Sequence, residues 1–401
     1  MSTKISLKEA EDLLNFTIDG NRYLQDSGQT PIAISFTGGH GIGKTSLVEQ
    51  VAKRRNMTIT KLSLHELEEV GDLIGYPVKE YKVVEKGTKK SGWVASDVLN
   101  RVDQKRFSVT NESRMGYAKP AWVPQYNENG CILLLDDYAR SSNMLIQATM
   151  ELINTGRYVS WSLPKYTSIV LTANEDNGEY NINSLDPAQK TRFMDYELEF
   201  NIEDWAKWAE SAELDSRCIN FAIQFSNELF KPQHNVTIAC PRSYVTFCKA
   251  ISGISDWKSG LKRILLVSKG CFDDQDNAVG RIFSVFINNE YDKLISPKDI
   301  FEKSWEYVQR KLTEAMNKDG EYRASVASMM ATRIVNWIDA YFDKPGYVSA
   351  PVIKRLEEMF EHKSFSEDLL FYIIKSVVSR HRKQAVKLLQ NPEIVNRINV
   401  Q

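Results

Sequence analysis

Cysteine is scarce and scattered in this chain of 401 residues. The five thiols are Cys131, Cys218, Cys240, Cys248 and Cys271, with no C-x-x-C pair and an odd total. That pattern argues against a disulfide frame and a zinc site, and leaves reduced thiols as the expectation. No uninterrupted apolar run is long enough to span a bilayer. The opening residues carry acidic side chains and lack the apolar stretch of a secretory signal. A cytoplasmic protein without a membrane partner is therefore expected. An excess of one charge is missing too: 51 Lys and Arg stand against 52 Asp and Glu, for a net charge of −1. The simplest electrostatic route to nucleic acid is thereby removed, and only a local basic patch would restore it. There are no internal repeats and no low-complexity tract. The remaining composition, 42% hydrophobic and 26% charged, is that of an ordinary globular chain long enough for two or three domains.

Against this plain background one segment stands out. Gly38-Gly39-His40-Gly41-Ile42-Gly43-Lys44-Thr45 fits the phosphate-loop pattern G-x-x-x-x-G-K-[ST] at every position. Ile32 to Phe36 reads as a buried strand leading into it, and Ser46 to Arg55 as the helix leading out. Strand, glycine loop and helix N-terminus together make an anion cradle, because glycines let successive N–H groups point inward and the helix end adds positive potential. The expected cradle is Gly39, His40, Gly41, Ile42, Gly43, Lys44, Thr45 and Ser46. Lys44 is expected to reach β- and γ-phosphates, and the Thr45 hydroxyl to ligate Mg²⁺. His40 occupies a variable position of the pattern and is expected to be tolerated rather than catalytic.

Further along, Cys131 to Leu135 is a continuous apolar run ending in Asp136-Asp137, and Ser168 to Thr172 is another ending at Ala173-Asn174. Such runs suit central parallel strands buried on both faces. Thr58 to Leu62 and Tyr196 to Phe200 read as further strands. Leu7 to Tyr23, Leu64 to Leu73 and Asn143 to Asn154 read as helices. Strands alternating with helices predict an α/β fold with a parallel sheet, and its ligand belongs at the carboxyl ends of the strands. Asp136, Asn174 and the glycine loop all fall at such ends. Asp136 is then placed as a Mg²⁺-side carboxylate and Asp137 as the group that orients or deprotonates the attacking water. An apolar run followed by two Asp is also how a strand enters a surface turn. Asn174 is placed to bond the lytic water or the γ-phosphate, although Asn174 to Gly178 is equally rich in turn formers. Arg192 sits before the last strand. It is placed either to reach a neighbouring subunit's nucleotide, where such a finger supplies about 10³–10⁵ in rate, or to complement a helix dipole.

Between Gly75 and Gly130 the chain departs from a minimal nucleotide domain. Val78 to Val84 and Lys86 to Trp93 predict a hairpin with a basic tip of Lys86, Lys89 and Lys90. Tyr117, Pro120, Trp122 and Pro124 mark an irregular stretch. Arg157 to Tyr166 predicts a second hairpin. From Ile202 onward the pattern is mostly helical, for instance at Ile219–Phe230, Tyr244–Ile251, Ile300–Met316, Val326–Tyr341 and Leu369–Leu389.

Taken as a set, these residues resemble the MoxR and dynein-related branch of the AAA+ ATPases, closest to bacterial and phage members. Asp72-Leu73-Ile74-Gly75 is similar to that family's Asp-Leu-hydrophobic-Gly after the second strand. Lys119-Pro120-Ala121-Trp122-Val123-Pro124 resembles its segment before the Walker B strand. Asn174 matches sensor 1, and Arg192-Phe193 the Arg-Phe of the arginine finger. Trp205-Ala206-Lys207-Trp208-Ala209 resembles the start of a helical lid, and Pro241-Arg242-Ser243 the lid's Pro-Arg, whose arginine (here Arg242) is sensor 2. The resemblance covers residues 1 to about 310.

It implies an AAA+ core over 1–202 with inserts near 76–125 and 157–166, a helical lid over 203–310 and a helical region over 311–401. It implies ATP and Mg²⁺ as ligands, a homo-oligomeric ring, in all expectation a hexamer, and a protein client, with a von Willebrand A-type protein as one candidate. Two departures stand against the family pattern. Asp137 replaces the usual Glu and is one methylene shorter, which puts efficient hydrolysis in question. Ala139 replaces the usual Asn, while Arg140 keeps the family's Arg, either to act across a subunit boundary or as a surface ion pair. A nucleic-acid motor and an ATP-gated scaffold with little turnover are the alternatives.

Overall fold

A computed structural model describes residues 3–88, 90–174, 189, 191–231, 238–272, 277–318, 320–386, 388–390 and 394. The chain divides into two compact units, Met1–Phe200 and Asn201–Gln401.

The first unit is a three-layer α/β structure around a six-stranded sheet, with all strand pairs parallel. Its strands are β1 (Thr3–Ile5), β2 (Ala33–Gly38), β3 (Thr58–Ser63), β7 (Cys131–Asp136), β8 (Thr167–Thr172) and β9 (Phe193–Leu198), in the spatial order β1-β9-β2-β8-β7-β3. The apolar runs explain the layering. Along β7, Ile132 and Leu134 pack with Ala10, Leu14, Val48 and Val51 on one face. Leu133 and Leu135 pack with Leu145, Ile146 and Ile153 on the other. Helices α1 (Leu7–Asp26) and α2 (Lys44–Arg54) thus cover one face, and α4 (Asn143–Thr155) the other. The order matters for the site: β8 lies between β2 and β7, so whatever ends β8 is held between the glycine loop and Asp136.

Three expectations need revision. Leu64 to Leu73 is not one helix but a single 3₁₀ turn at Leu64–Glu66 followed by the short helix α3 (Val70–Ile74). The basic hairpin forms as β4 (Pro77–Glu85) and β5 (Ser91–Ala95), but it belongs to a three-stranded antiparallel sheet, completed by β6 (Phe107–Tyr117). Nothing in the sequence reading provided for that third strand. The second hairpin reduces to one antiparallel bridge, Arg157 to Ser162. At the basic tip, Lys86 donates to the Gln104 carbonyl at 2.8 Å; Lys89 lies outside the described residues.

The family-like segments meet in space. Trp122 Nε1 donates to the Asp72 carbonyl at 3.2 Å, and Trp161 Nε1 to the Ile74 carbonyl at 2.9 Å. The two indoles stand edge to face, 5.7 Å apart. Gly75 adopts φ +89°, and a Cβ there would lie 1.8 Å from the Ala118 carbonyl oxygen. Only glycine fits where these backbones cross.

The second unit is helical among its described elements apart from one two-residue hairpin. Trp205 is buried and packs edge to face on Tyr244, so the tryptophans near its start serve packing. The helices beyond 310 share one core with earlier segments: Val326, Ile334 and Ile338 cluster with Ile300, Val308 and Ile373. Helix Ala324–Phe342 also carries a buried polar edge. Arg333 donates to Glu210 at 2.6 Å and to Asn220 at 2.6 Å. Asp339, with a side chain 2% exposed, accepts from Arg380 at 2.6 Å, lies 2.7 Å from His381 Nε2 and pairs with Lys207 at 3.1 Å.

Burial pushes the Asp339 carboxyl up, but His381, Lys207 and Arg380 outweigh it and hold it below the usual carboxylate range. A depressed folded value contributes stability that is present above the unfolded value and lost as pH falls through the folded one. Asp339→Asn should therefore lower the unfolding free energy at neutral pH by about 1–2 kcal/mol, since it removes a buried carboxylate whose partners Lys207 and Arg380 are half-exposed and screened by solvent. In urea titrations the gap to the parent protein should narrow as pH drops from about 6 to about 3; a gap of constant width would contradict the assignment.

Candidate nucleotide site

The glycine loop joins β2 to α2. Gly38, Gly41 and Gly43 all have positive φ, at 145°, 71° and 105°. At Gly38 a Cβ would lie 2.7 Å from the Leu198 carbonyl oxygen and 2.8 Å from the Ile42 side chain, so the loop lies flat against β9 only because that residue has no side chain. Gly43 occupies the N-cap of α2 and makes no side-chain cap. The first-turn amides of α2, at Lys44, Thr45 and Ser46, have no intrahelical acceptor by the geometry of any helix start. Ile42 is buried and anchors the loop, whereas His40 and Ser46 are exposed.

Lys44 is 7% exposed. Its ammonium donates to the Gly38 carbonyl at 2.8 Å, the Gly39 carbonyl at 2.9 Å and Asn174 Oδ1 at 2.9 Å. Those three neutral oxygens match the three hydrogens of an ammonium. Asn174, at the end of β8, completes a second link: its Nδ2 donates to Asp137 Oδ1 at 3.1 Å. One amide therefore ties the loop lysine to the second aspartate.

Asp136 ends β7 and is held by three donors. Its Oδ1 accepts from Thr45 Oγ1 at 2.8 Å and from Thr172 Oγ1 at 2.6 Å. Its Oδ2 pairs with Lys61 Nζ at 2.7 Å. Burial pushes this carboxyl up, but the bonds from Lys61, Thr172 and Thr45 together hold it below the ordinary range. Lys61 is raised in turn, first of all by its bond to Asp136. The carboxylate is thus ionised at neutral pH and aimed at the Thr45 hydroxyl.

Asp137 has φ +49°, in the left-handed region that Asp tolerates better than most residues. The backbone turns sharply there, and the Asp137 amide donates to Thr172 Oγ1 at 3.3 Å. Arg140 lies 3.6 Å from Asp137 Oδ2, which makes it an ion pair within the site.

The donor set suits Mg²⁺. That ion takes one or two carboxylates, with waters and substrate phosphates for the rest of its octahedron. Here one hydroxyl and one ionised carboxylate oxygen stand 2.8 Å apart beside the anion cradle. Among the described residues no group of three or more His, Cys, Asp or Glu forms an all-protein cage.

One predicted residue of the first unit does not join this cluster. Arg192 lies in a turn, its amide donating to the Gln189 carbonyl at 3.2 Å, immediately before β9. Phe193 pairs with Ala33 and Leu198 with Gly38, so Arg192 is at the opposite end of the sheet from the glycine loop. At about 3.3 Å per residue the separation along the strands is roughly 20 Å. Arg242, the second residue of helix Pro241–Ile251, belongs to the second unit and is exposed there. The turn formers after Asn174, and most residues before Thr191, lie outside the described residues.

Sequence reasoning missed Lys61 and Thr172. Each reads as an ordinary strand residue. The only signal was the strand order, which brings both to Asp136.

No protein-family model and no curated protein matches the sequence. Among solved structures the chain is similar to RuvB of Thermotoga maritima. One variant is 13% identical over 80% of this chain and 94% of RuvB, with a TM-score of 0.38. RuvB as the Holliday junction branch migration motor is 14% identical over 73% and 78%, with a TM-score of 0.34. Another variant is 14% identical over 87% and 94%, with a TM-score of 0.35. At such values the chemistry rests on the residues just described.

Thr172→Val removes one donor to Asp136 and strands the Asp137 amide. The unfolding free energy should fall by about 1–3 kcal/mol, read by urea denaturation without nucleotide. An unchanged midpoint would show that the hydroxyl is not the link between the two aspartates.

Proposed function

We propose that the chain is a Mg²⁺-dependent ATPase of the AAA+ type, similar to the MoxR branch, that assembles as a ring and remodels a protein partner. The observation that carries this reading is the convergence of Lys44, Thr45, Asp136 and Asn174, from α2, β7 and the end of β8, in one hydrogen-bonded cluster. A glycine turn matching the motif fortuitously would not find those partners.

In this reading the amides of Gly39 to Ser46 and the Lys44 ammonium bind the β- and γ-phosphates. Phosphate oxygens replace the neutral carbonyls at Lys44, because charge-assisted bonds are the stronger ones. Thr45 and Asp136 hold the Mg²⁺, which supplies charge neutralisation on the phosphate oxygens. Asn174 and Asp137 orient the attacking water, and Asp137 accepts its proton as the bond to the γ-phosphorus forms and ADP leaves. Arg242 senses the γ-phosphate from the lid, taken as 203–310. Arg192 completes the site of an adjacent subunit, a role supported by its position at the far end of its own sheet. The client, of which a von Willebrand A-type protein is one candidate, the hexameric state and a cytoplasmic location belong to the same proposal. Among the described residues no helix is long and apolar enough to cross a membrane.

One observation favours the scaffold alternative. The shorter Asp137 carboxylate is engaged by both Asn174 and Arg140. A base held in this way turns over slowly, so the ring would assemble on ATP and rarely hydrolyse it.

Lys44→Ala should abolish binding of a fluorescent ATP analogue, with a loss of at least about 100-fold in affinity. Retained affinity would remove the phosphate-loop assignment. Arg192→Ala should bind nucleotide normally yet lose about 10³-fold or more in turnover. Mixing it with Lys44→Ala subunits should restore part of the activity. Full activity of Arg192→Ala alone, or no rescue on mixing, would count against a shared site.

A further inference from the structure

We propose that Lys61 is a built-in competitor of the metal at Asp136 and sets the magnesium concentration at which nucleotide binds. The proposal rests on the ATPase reading above. Lys61 is the half-exposed partner of the pair, 45% exposed against 14% for Asp136. It lies on β3, an edge of the six-stranded sheet. The register pairs Lys61 with Leu134, and Ser63 with Asp136. Residues two apart on a strand share a face, so the four-carbon stem of Lys61 runs diagonally along one face to Asp136. With its side chain 45% exposed, the head has solvent to withdraw into when the pair opens.

The carboxylate is already crowded. Oδ1 serves the two threonine hydroxyls, so Lys61 holds the other oxygen. A divalent cation drawn to Asp136 meets a full positive charge on the same carboxylate. Either the ammonium withdraws, giving up its ion pair, or both cations stay and repel each other. In both cases metal binding is weaker than the same threonine and aspartate would allow alone. Among the described residues bonded to Asp136, two are neutral hydroxyls and Lys61 adds positive charge where the metal adds it too. Lys44 faces the loop carbonyls and Asn174 instead.

The test titrates Mg²⁺ against a fluorescent ATP analogue and records the midpoint for nucleotide binding. Lys61→Met keeps the stem and removes the charge; its midpoint should fall about five- to tenfold, the range set by one half-screened charge. Lys61→Arg keeps the cation and should stay within about twofold of the parent. Binding measured in EDTA should not improve in Lys61→Met, which separates a metal effect from a general gain in affinity for anions. Thermal melts check that each variant folds. A midpoint in Lys61→Met equal to or above the parent's overturns the competitor role and leaves the ATPase reading standing. A parent protein with no magnesium-dependent nucleotide binding overturns both.

Discussion

The site depends on a single carboxylate. Asp136 is the last residue of a strand that is apolar at every earlier position, so its charge appears where the buried run ends. Donors from three other segments converge on it: Thr45 from the helix after the glycine loop, Thr172 from β8 and Lys61 from β3. Each bond crosses a different gap between elements. An isolated carboxylate at this depth would be costly, and the cost is offset only because every donor is in place. The geometry of the glycine loop, the sheet order and the Asp136 carboxylate therefore hold one another. Displacing any one of β3, β8 or α2 would leave a buried charge short of a partner.

The parallel sheet also gives the first unit two unlike ends. Lys44, Asp136 and Asn174 gather at the carboxyl ends of β2, β7 and β8. Arg192 precedes the amino end of β9. No rotation of side chains spans six residues of extended strand. An arginine that acts on a phosphate from that end must act on one bound by another molecule. If Arg192 has such a role, the topology that gathers Lys44, Asp136 and Asn174 in one chain leaves the arginine to act on a second copy, and on that ground the ring belongs to the functional proposal.

The elements that were legible from sequence are those with one strong physical requirement. The glycine loop announces itself through residues that few other structures need in that order. β7 and β8 announce themselves because a strand buried on both faces must be apolar throughout. β6 gave no signal, since Phe107–Tyr117 lies in a thin sheet and its side chains are mostly exposed, so no alternating pattern was imposed on it. Leu64, Leu67 and Leu73 suggested a helix by their spacing, yet they face one core from a 3₁₀ turn and a short helix. Lys61 and Thr172 were invisible as site residues for a different reason. Their roles arise from which strands are neighbours, and a one-dimensional reading names strands before it can order them. Arg140 was left between two roles, and its pairing with Asp137 supplies a local one.

A packed path also runs from the site toward the inserted sheet. Tyr138, next to Asp137, is 1% exposed and accepts a hydrogen bond from Thr149 of α4 at 3.2 Å. Tyr158 donates to the Ala148 carbonyl on the same helix. Trp161, 5.1 Å from Tyr158, bonds the Ile74 carbonyl, and Ser160 bonds both backbone groups of Tyr117, the last residue of β6. Contiguity alone does not transmit anything: a path carries a displacement only if one of its members has two arrangements that a ligand tells apart. Most members are fixed by close packing or by backbone bonds. Asp137 differs, because its left-handed backbone carries a local cost, and its carboxylate is held by Asn174, which also bonds the loop lysine. A phosphate that draws Lys44 away from Asn174 changes what holds Asp137. The restraint on this left-handed residue would thus change with a bound phosphate, and Tyr138 attaches its segment to α4.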